Sequence, residues 1–308
     1  MHRILFLLLR ICAFMVCCLV ATNSSYAGQA EGVRVIDDIG NTVILAHPAR
    51  RIISLAPHVT ELLFAAGAGK HVVGVVAYSD FPEAAKKLPE VGAYNAFDLE
   101  SILALKPDLI VAWKSANPAA ALEKLQAMSI PVFYSEPKQL EDVASNIERL
   151  GVLAGTQTVA ELASADFRHK LAELRTHYSN LSRVSVFYQI WHQPLMTVNG
   201  EHIISQVIEL CGGRNVFADL PTLAPKISLE PVLLKDPEVI VAGNSALNHP
   251  GWKEDWRRWP NLRAVKNDHL FYVNPDIIQR HTPRILQGAE VLCRQLDQVR
   301  TARDADHR

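Results

Sequence analysis

The chain has almost no net charge. Its 31 lysines and arginines face 32 aspartates and glutamates, a formal balance of −1. No basic stripe or base-stacking motif interrupts that balance, so nothing suggests nucleic acid or another polyanion as a partner. Several catalytic signatures are also missing. "GAGKH" contains Gly69-Lys70 but continues with His71, where a P-loop needs Ser or Thr, and Phe64 stands where its first glycine belongs. No G-x-G-x-x-G spacing marks a dinucleotide site. Gly243 and Ser245 lead to Leu247, where a nucleophile elbow needs glycine. There is no histidine-rich tract, so a zinc or manganese carrier is not indicated and no metal site is expected. Together these absences argue against an enzyme.

Cysteine is scarce and unevenly placed, at 12, 17, 18, 211 and 293. The first three fall in "MHRILFLLLRICAFMVCCLVATNSSYAGQA", which has a basic start, an apolar run and small residues at Ser25 and Ala27. That is the pattern of a secretory signal peptide over residues 1–27, cut after Ala27. A membrane anchor is the alternative, but Arg10 interrupts the run and Ile11–Ala21 is short for a bilayer span. Lipid attachment at Cys17 or Cys18 is a further alternative, although Phe-Met-Val is a poor approach to a lipidated cysteine. After cleavage only Cys211 and Cys293 remain. In an exported chain they suggest one disulfide, with two buried thiols as the other reading.

The rest of the chain alternates. "VRVIDDIGNTVIL" reads as a hairpin turning at Gly40. Short apolar strands at "RIISL", "HVVGVV", "DLIVAW" and "PVFYS" are separated by helical stretches, ending with the amphipathic "LEDVASNIERLGVLAG". This rhythm predicts a mostly parallel sheet covered on both faces. It then breaks into one long helical pattern from Thr158 to about Tyr178. A second alternation follows, with strands at "VSVFYQI", "EVIVAG" and "HLFYV" and a last helix at "PRILQGAEVLCRQLDQV". The expected organisation is a lobe over 28–154, a connecting helix over 155–181 and a second lobe over 182–308. Such a helix is a stiff spacer, because its hydrogen bonds resist a large local backbone change.

One element occurs twice. "LESILALKPDLIVA" starts at Leu99 and "LEPVLLKDPEVIVA" at Leu229, and about half of their positions are identical. Their separation of about 130 residues is far longer than a solenoid repeat. Each copy predicts a short helix, a proline turn and a buried central strand, one per lobe. Glu100 and Glu230 fall in the first helical turn, where the helix dipole favours a carboxylate by ~0.3–1 kcal/mol.

"RIISLAPHVTELLFAAGAGKHVVGVVAYSDFP", "LPEVGAYNAFDLESILALKPDLIVAW" and "VIELCGGRNVFAD" together resemble the periplasmic substrate-binding proteins of bacterial ABC importers. The resembling class has a helical backbone between its lobes and carries siderophores, haem and cobalamin. The likeness spans nearly the whole mature chain and is greatest to the cobalamin-binding members. It implies an α/β fold of two Rossmann-like lobes joined by one long rigid helix, a class III binding protein. It also implies a periplasmic monomer that holds a corrinoid in the interlobe cleft as cargo rather than as cofactor. Delivery would be to an ABC permease and its ATPase at the inner membrane. Haem or a ferric siderophore is the alternative cargo.

Carried over residue by residue, Tyr78 matches a cleft tyrosine of the cobalamin binders and Tyr94 sits where they have tryptophan. Trp113 has its counterpart, and Asp276, Ile277, Ile278, Gln279 and Arg280 match a ligand-contacting loop. Glu100 and Glu230 match the two glutamates that pair with permease arginines, and Cys211 with Cys293 the disulfide. The chain departs from the pattern at Ala224, where tryptophan is frequent, and at Ile190, where an aromatic is expected and Trp191 is adjacent.

A corrin ring is broad, flat and fringed with amides. Tyr and Trp give it flat apolar area at low entropy cost and keep a polar handle. Tyr78, Tyr94, Trp113 and Trp191 all fall near strand ends, where open α/β sheets bind ligands. His58, His192 and His281 occupy similar loops and could face the same cleft, either bonding to loop backbone or ligand amides or, in one case, to a metal centre of the ligand.

Overall fold

The computed structural model describes residues 32–178, 180–243 and 249–306. The expected signal peptide and its cysteines lie outside the described residues. The first element is the antiparallel hairpin β1 (Val33–Ile36) and β2 (Thr42–Leu45). Asp37 closes its turn by accepting the Ile39 and Asn41 amides at 3.0 and 2.7 Å. The four strands β3 (Ile52–Ser54), β4 (Val72–Val75), β7 (Leu109–Trp113) and β8 (Val132–Ser135) follow, with the two-residue strands β5 (Gly92–Ala93) and β6 (Ala96–Phe97) between them. The first sheet runs β4-β3-β7-β8, all parallel. The second sheet uses β9 (Val184–Gln189), β10 (Gly213–Asn215), β11 (Val239–Ala242) and β12 (Leu270–Tyr272), in the order β10-β9-β11-β12, again all parallel. Both sheets therefore place their strands, counted along each lobe, as second, first, third, fourth. A parallel neighbour demands a crossover, and the helices supply it.

Those helices are α1 (Pro57–Ala65), α2 (Leu99–Ala104), α3 (Ala119–Ala127) and α4 (Leu140–Ala154) in the first half. The long α5 (Gln157–Tyr178) comes next, and then α6 (Ile203–Leu210), α7 (Glu230–Lys235), α8 (Trp252–Arg257), α9 (Arg263–Lys266), α10 (Pro275–Ile278) and α11 (Ile285–Asp306). Helix α4 stops at Gly155, whose φ of +67° is the left-handed conformation that ends helices cheaply only in glycine. The chain then reverses into α5. Gly151 of α4 lies so close to Ala160 of α5 that a Cβ there would approach it to 2.3 Å, so the two helices meet at small residues.

The central strands are apolar throughout and bury both faces, with successive residues turning to opposite cores. In β7, Leu109 and Val111 point into a central core, while Ile110 and Ala112 join a cluster on the other face of the first sheet. In β11, Val239 and Val241 join that same central core, while Ile240 and Ala242 join an outer cluster of their own. The central core runs from Val59 and Leu62 through Ala160, Phe167 and Leu171 of α5 to Ile204 and Leu292. Everything from Val33 onward is consequently one compact unit. Cys211, after α6, is bonded to Cys293 in α11 across 82 residues, and both are fully buried.

The sequence repeat is a structural repeat in detail. Its copies form α2–β7 and α7–β11. Lys106 and Asp236, which precede the two prolines, both adopt positive φ, at 46° and 42°. The next acid in each copy ties the third strand to the first. Asp108 accepts the Arg50 and Arg51 amides at 2.8 and 2.9 Å, and Glu238 accepts the Ser185 amide at 2.8 Å.

Candidate functional site

The carboxyl ends of β3 and β7 meet at a switch point in strand order, the position where open α/β sheets form a crevice. A cavity of about 230 Å³ lies there, walled by Pro57, His58, Tyr78, Tyr94 and Trp113 on one side and Gln279, Arg280 and His281 on the other. Tyr94 and Trp113 form a tilted aromatic pair with centroids 5.9 Å apart. His58 meets the Trp113 ring edge-on at 5.1 Å. Tyr78 is 76% exposed and holds a left-handed φ of 65°, a strained conformation for a tyrosine. Buried Asn117 organises the wall. It accepts the Trp113 amide at 2.6 Å and donates to the carbonyls of Leu55 and Tyr94 at 2.9 and 2.7 Å.

The two sides are joined by charge. Glu61 of α1 is buried to 2% exposure and receives Arg284 in a two-pronged contact, Nε to Oε2 at 2.8 Å and a terminal nitrogen to Oε1 at 2.6 Å. Arg280 reaches the same Glu61 at 3.2 Å, Asp80 at 2.6 Å and Asp276 at 2.8 Å. Burial pushes the Asp80 carboxyl up, but the hydrogen bond and charge of Arg280 outweigh it and leave its pKa lowered. Arg284 also lies over the Phe81 ring at 4.0 Å.

Three histidines adjoin one another at the cavity, His58 and His281 in its wall and His202 beside His281. The His58 and His281 rings are 5.9 Å apart, and those of His281 and His202 are 6.3 Å apart. Burial lowers the pKa of His281 to about 4 and, with His281 adding repulsion, that of His202 to about 3. Burial, then the charges of His281 and Arg280, hold His58 well below its usual value. All three are neutral near pH 7. His58 Nε2 and Trp113 Nε1 are buried without a hydrogen-bond partner, on two residues of the cavity wall.

Of the residues expected at the site, the structure gathers Tyr78, Tyr94, Trp113, Gln279 and Arg280 around one cavity. Asp276 stands behind Arg280. Ile278 is fully buried in the central core and Ile277 packs on it, so this pair supports the loop rather than lining the cavity. Trp191 follows β9 outside the cavity wall, 39% exposed, and donates its Nε1 to the Gln193 carbonyl at 3.0 Å. His192 lies in a separate cavity with Asp255. Asn117, Glu61 and Arg284 escaped the sequence reading. A glutamate on the otherwise apolar stretch "HVTELLFAA" was the one available signal, because a buried acid needs a partner.

Glu100 and Glu230 are exposed in the first turns of α2 and α7. Asp98 caps α2 through the Glu100 and Ser101 amides at 3.1 Å each. The Glu230 carboxyl is lowered by backbone hydrogen bonding at its own position and by Ser228. Because their lobes share one strand order, the two glutamates occupy equivalent places.

Comparison with known proteins identifies the family and the fold. Residues 52–277 match the family described as periplasmic binding protein, and the chain belongs to that family. A vitamin B12-binding protein of Vibrio parahaemolyticus is 39% identical over 257 residues, covering 83% of this chain and 92% of the relative. One from Yersinia pestis is 39% identical over 256 residues, covering 83% and 89%. The crystal structure of the periplasmic vitamin B12 binding protein BtuF of Vibrio cholerae superposes with a TM-score of 0.76 at 40% identity, covering 82% of this chain and 98% of that one. The periplasmic heme-binding protein RhuT of Roseiflexus shares the fold, with a TM-score of 0.73 at 22% identity, covering 82% and 99%.

Proposed function

We propose that this chain captures a corrinoid, cobalamin or its relatives, in the cleft between its lobes and delivers it to an ABC permease. The observation that carries the reading is the cluster of Tyr78, Tyr94 and Trp113 facing Gln279 and Arg280 across one cavity. Flat rings on one side suit a flat macrocycle, and amide and guanidinium donors on the other suit its amide fringe. The identity of about 40% to vitamin B12-binding relatives over four-fifths of the chain supports the same cargo. Cavities for small molecules usually span ~300–1,000 Å³. The cavity here is smaller, so a corrinoid needs the two sides of the cleft to separate further.

The role is transport rather than catalysis, and the corrinoid is cargo. Export by a signal peptide cut after Ala27 places the mature protein in the periplasm. Glu100 and Glu230 are the docking points, one on each lobe, meeting arginines on the two halves of the permease. Equal geometry at the two points follows from the repeated α2–β7 and α7–β11 units. Each exposed pair contributes little energy alone, but two pairs fix the register of docking.

Calorimetric titration of the exported protein with cobalamin, cobinamide and haemin tests the proposal. A 1:1 corrinoid complex with no comparable haemin binding is expected. Saturable haemin binding without corrinoid binding would overturn it in favour of a haem carrier.

A further inference from the structure

A second cavity, of about 300 Å³, shares no lining residue with the cleft cavity. His192, in the loop after β9, and Asp255, in α8, form part of its wall. His249 stands beside them. The two imidazoles are stacked, with centroids 4.1 Å apart and planes 13° apart. Both present Nε2 to one oxygen of Asp255, His249 at 2.7 Å and His192 at 3.5 Å. The other oxygen of Asp255 is held by Arg258 at 3.1 Å, which fixes the orientation of the carboxylate. Among the described residues this is the one group whose donor atoms lie mutually within 4.8 Å in a set able to hold a cation.

We propose that His192, His249 and Asp255 form a binding site for a divalent transition-metal ion, zinc above all, that fastens the loop after β9 to helix α8. The geometry fits. Bonds of ~2.0–2.1 Å in a tetrahedral site put neighbouring donors about 3.3 Å apart. The His192–Asp255 separation of 3.5 Å is long for a hydrogen bond but matches that edge. The His249–Asp255 separation of 2.7 Å must open by about 0.6 Å to reach it. Two nitrogens and one oxygen select zinc, nickel or copper over magnesium or calcium, which require more oxygens. The three side chains are 24%, 37% and 30% exposed, so an ion can enter, and the adjoining cavity leaves room for a water as fourth ligand. The fastened loop carries Trp191, and Leu229, next to Glu230, lines the same cavity. The site thus lies between the end of a central strand and the docking helix.

The test uses untagged exported protein, stripped with chelator and titrated with zinc chloride in a calorimeter. One saturable site is expected, with magnesium chloride giving no heat. His249→Ala and Asp255→Asn should each weaken zinc binding at least tenfold while the corrinoid titration stays unchanged. Cobalt(II) added to the unmodified stripped protein should give the visible spectrum of a tetrahedral ion, a readout that needs no variant. Absence of a saturable zinc site, a cobalt spectrum of octahedral type, or equal zinc affinity in the folded variants overturns the proposal. The cleft reading is judged separately, by the corrinoid titration alone.

Discussion

Glu61 and Arg284 are 223 residues apart in sequence, yet they form a two-pronged ion pair at 2.8 and 2.6 Å that joins the two halves of the cleft. Breaking such a pair from one side strands a buried charge, at ~3–5 kcal/mol. Glu61→Ala should therefore destabilise the protein by that amount in urea melts. Glu61→Leu combined with Arg284→Met should recover most of the loss, because the pair itself adds little net stability over packed apolar groups. A single variant as stable as the parent would refute the ion pair as a structural link.

The buried histidines give stability a sign with pH. His281 and His202 have pKa values of about 4 and about 3 in the folded chain. In the unfolded chain a histidine titrates near ~6.5. The unfolded state thus binds more protons between those values, and stability is full above ~6.5 and falls as the pH drops toward 4. His281→Gln should flatten that decline. Urea midpoints measured across the interval decide it, and an identical slope in the variant would remove His281 from the explanation.

If a corrin lies on the aromatic wall, Tyr94→Ala should weaken binding by ~1.5–3 kcal/mol, the worth of one buried aromatic side chain. Tyr94→Phe should keep most of the affinity, because the ring rather than the hydroxyl makes the contact. An unchanged affinity for the alanine variant excludes Tyr94 from the site.

The docking reading separates capture from delivery. Glu100→Ala with Glu230→Ala should leave corrinoid affinity untouched and lower uptake into cells or vesicles by roughly tenfold or more. Normal uptake by the double variant would leave the helix dipole as the reason for both glutamates.

The fold was largely readable because its signals are local. Continuous apolar runs in "DLIVAW" and "EVIVAG" marked central strands, and an unbroken helical pattern without glycine or proline marked α5. Strand β10 was not marked, because Gly213–Asn215 is too short and polar to show a period, and only its pairing with β9 makes it a strand. The short helices α8, α9 and α10 were missed for the same reason. At the site, Tyr78, Tyr94 and Trp113 were singled out by the resemblance to cobalamin binders, their strand-end positions agreed, and the three line one cavity. Asn117 was not, since its role is to bond three backbone groups that come together only in the folded chain. Ile278 shows the converse, because position in a loop motif does not say which way a side chain turns.

The apolar interior crosses from one half to the other through Phe167 and Leu171 of α5 without a break. Severing the chain at that helix would leave each piece with a raw greasy flank and no partner to cover it. Neither piece is a self-sufficient folding unit, and heat should dismantle the whole in a single cooperative event.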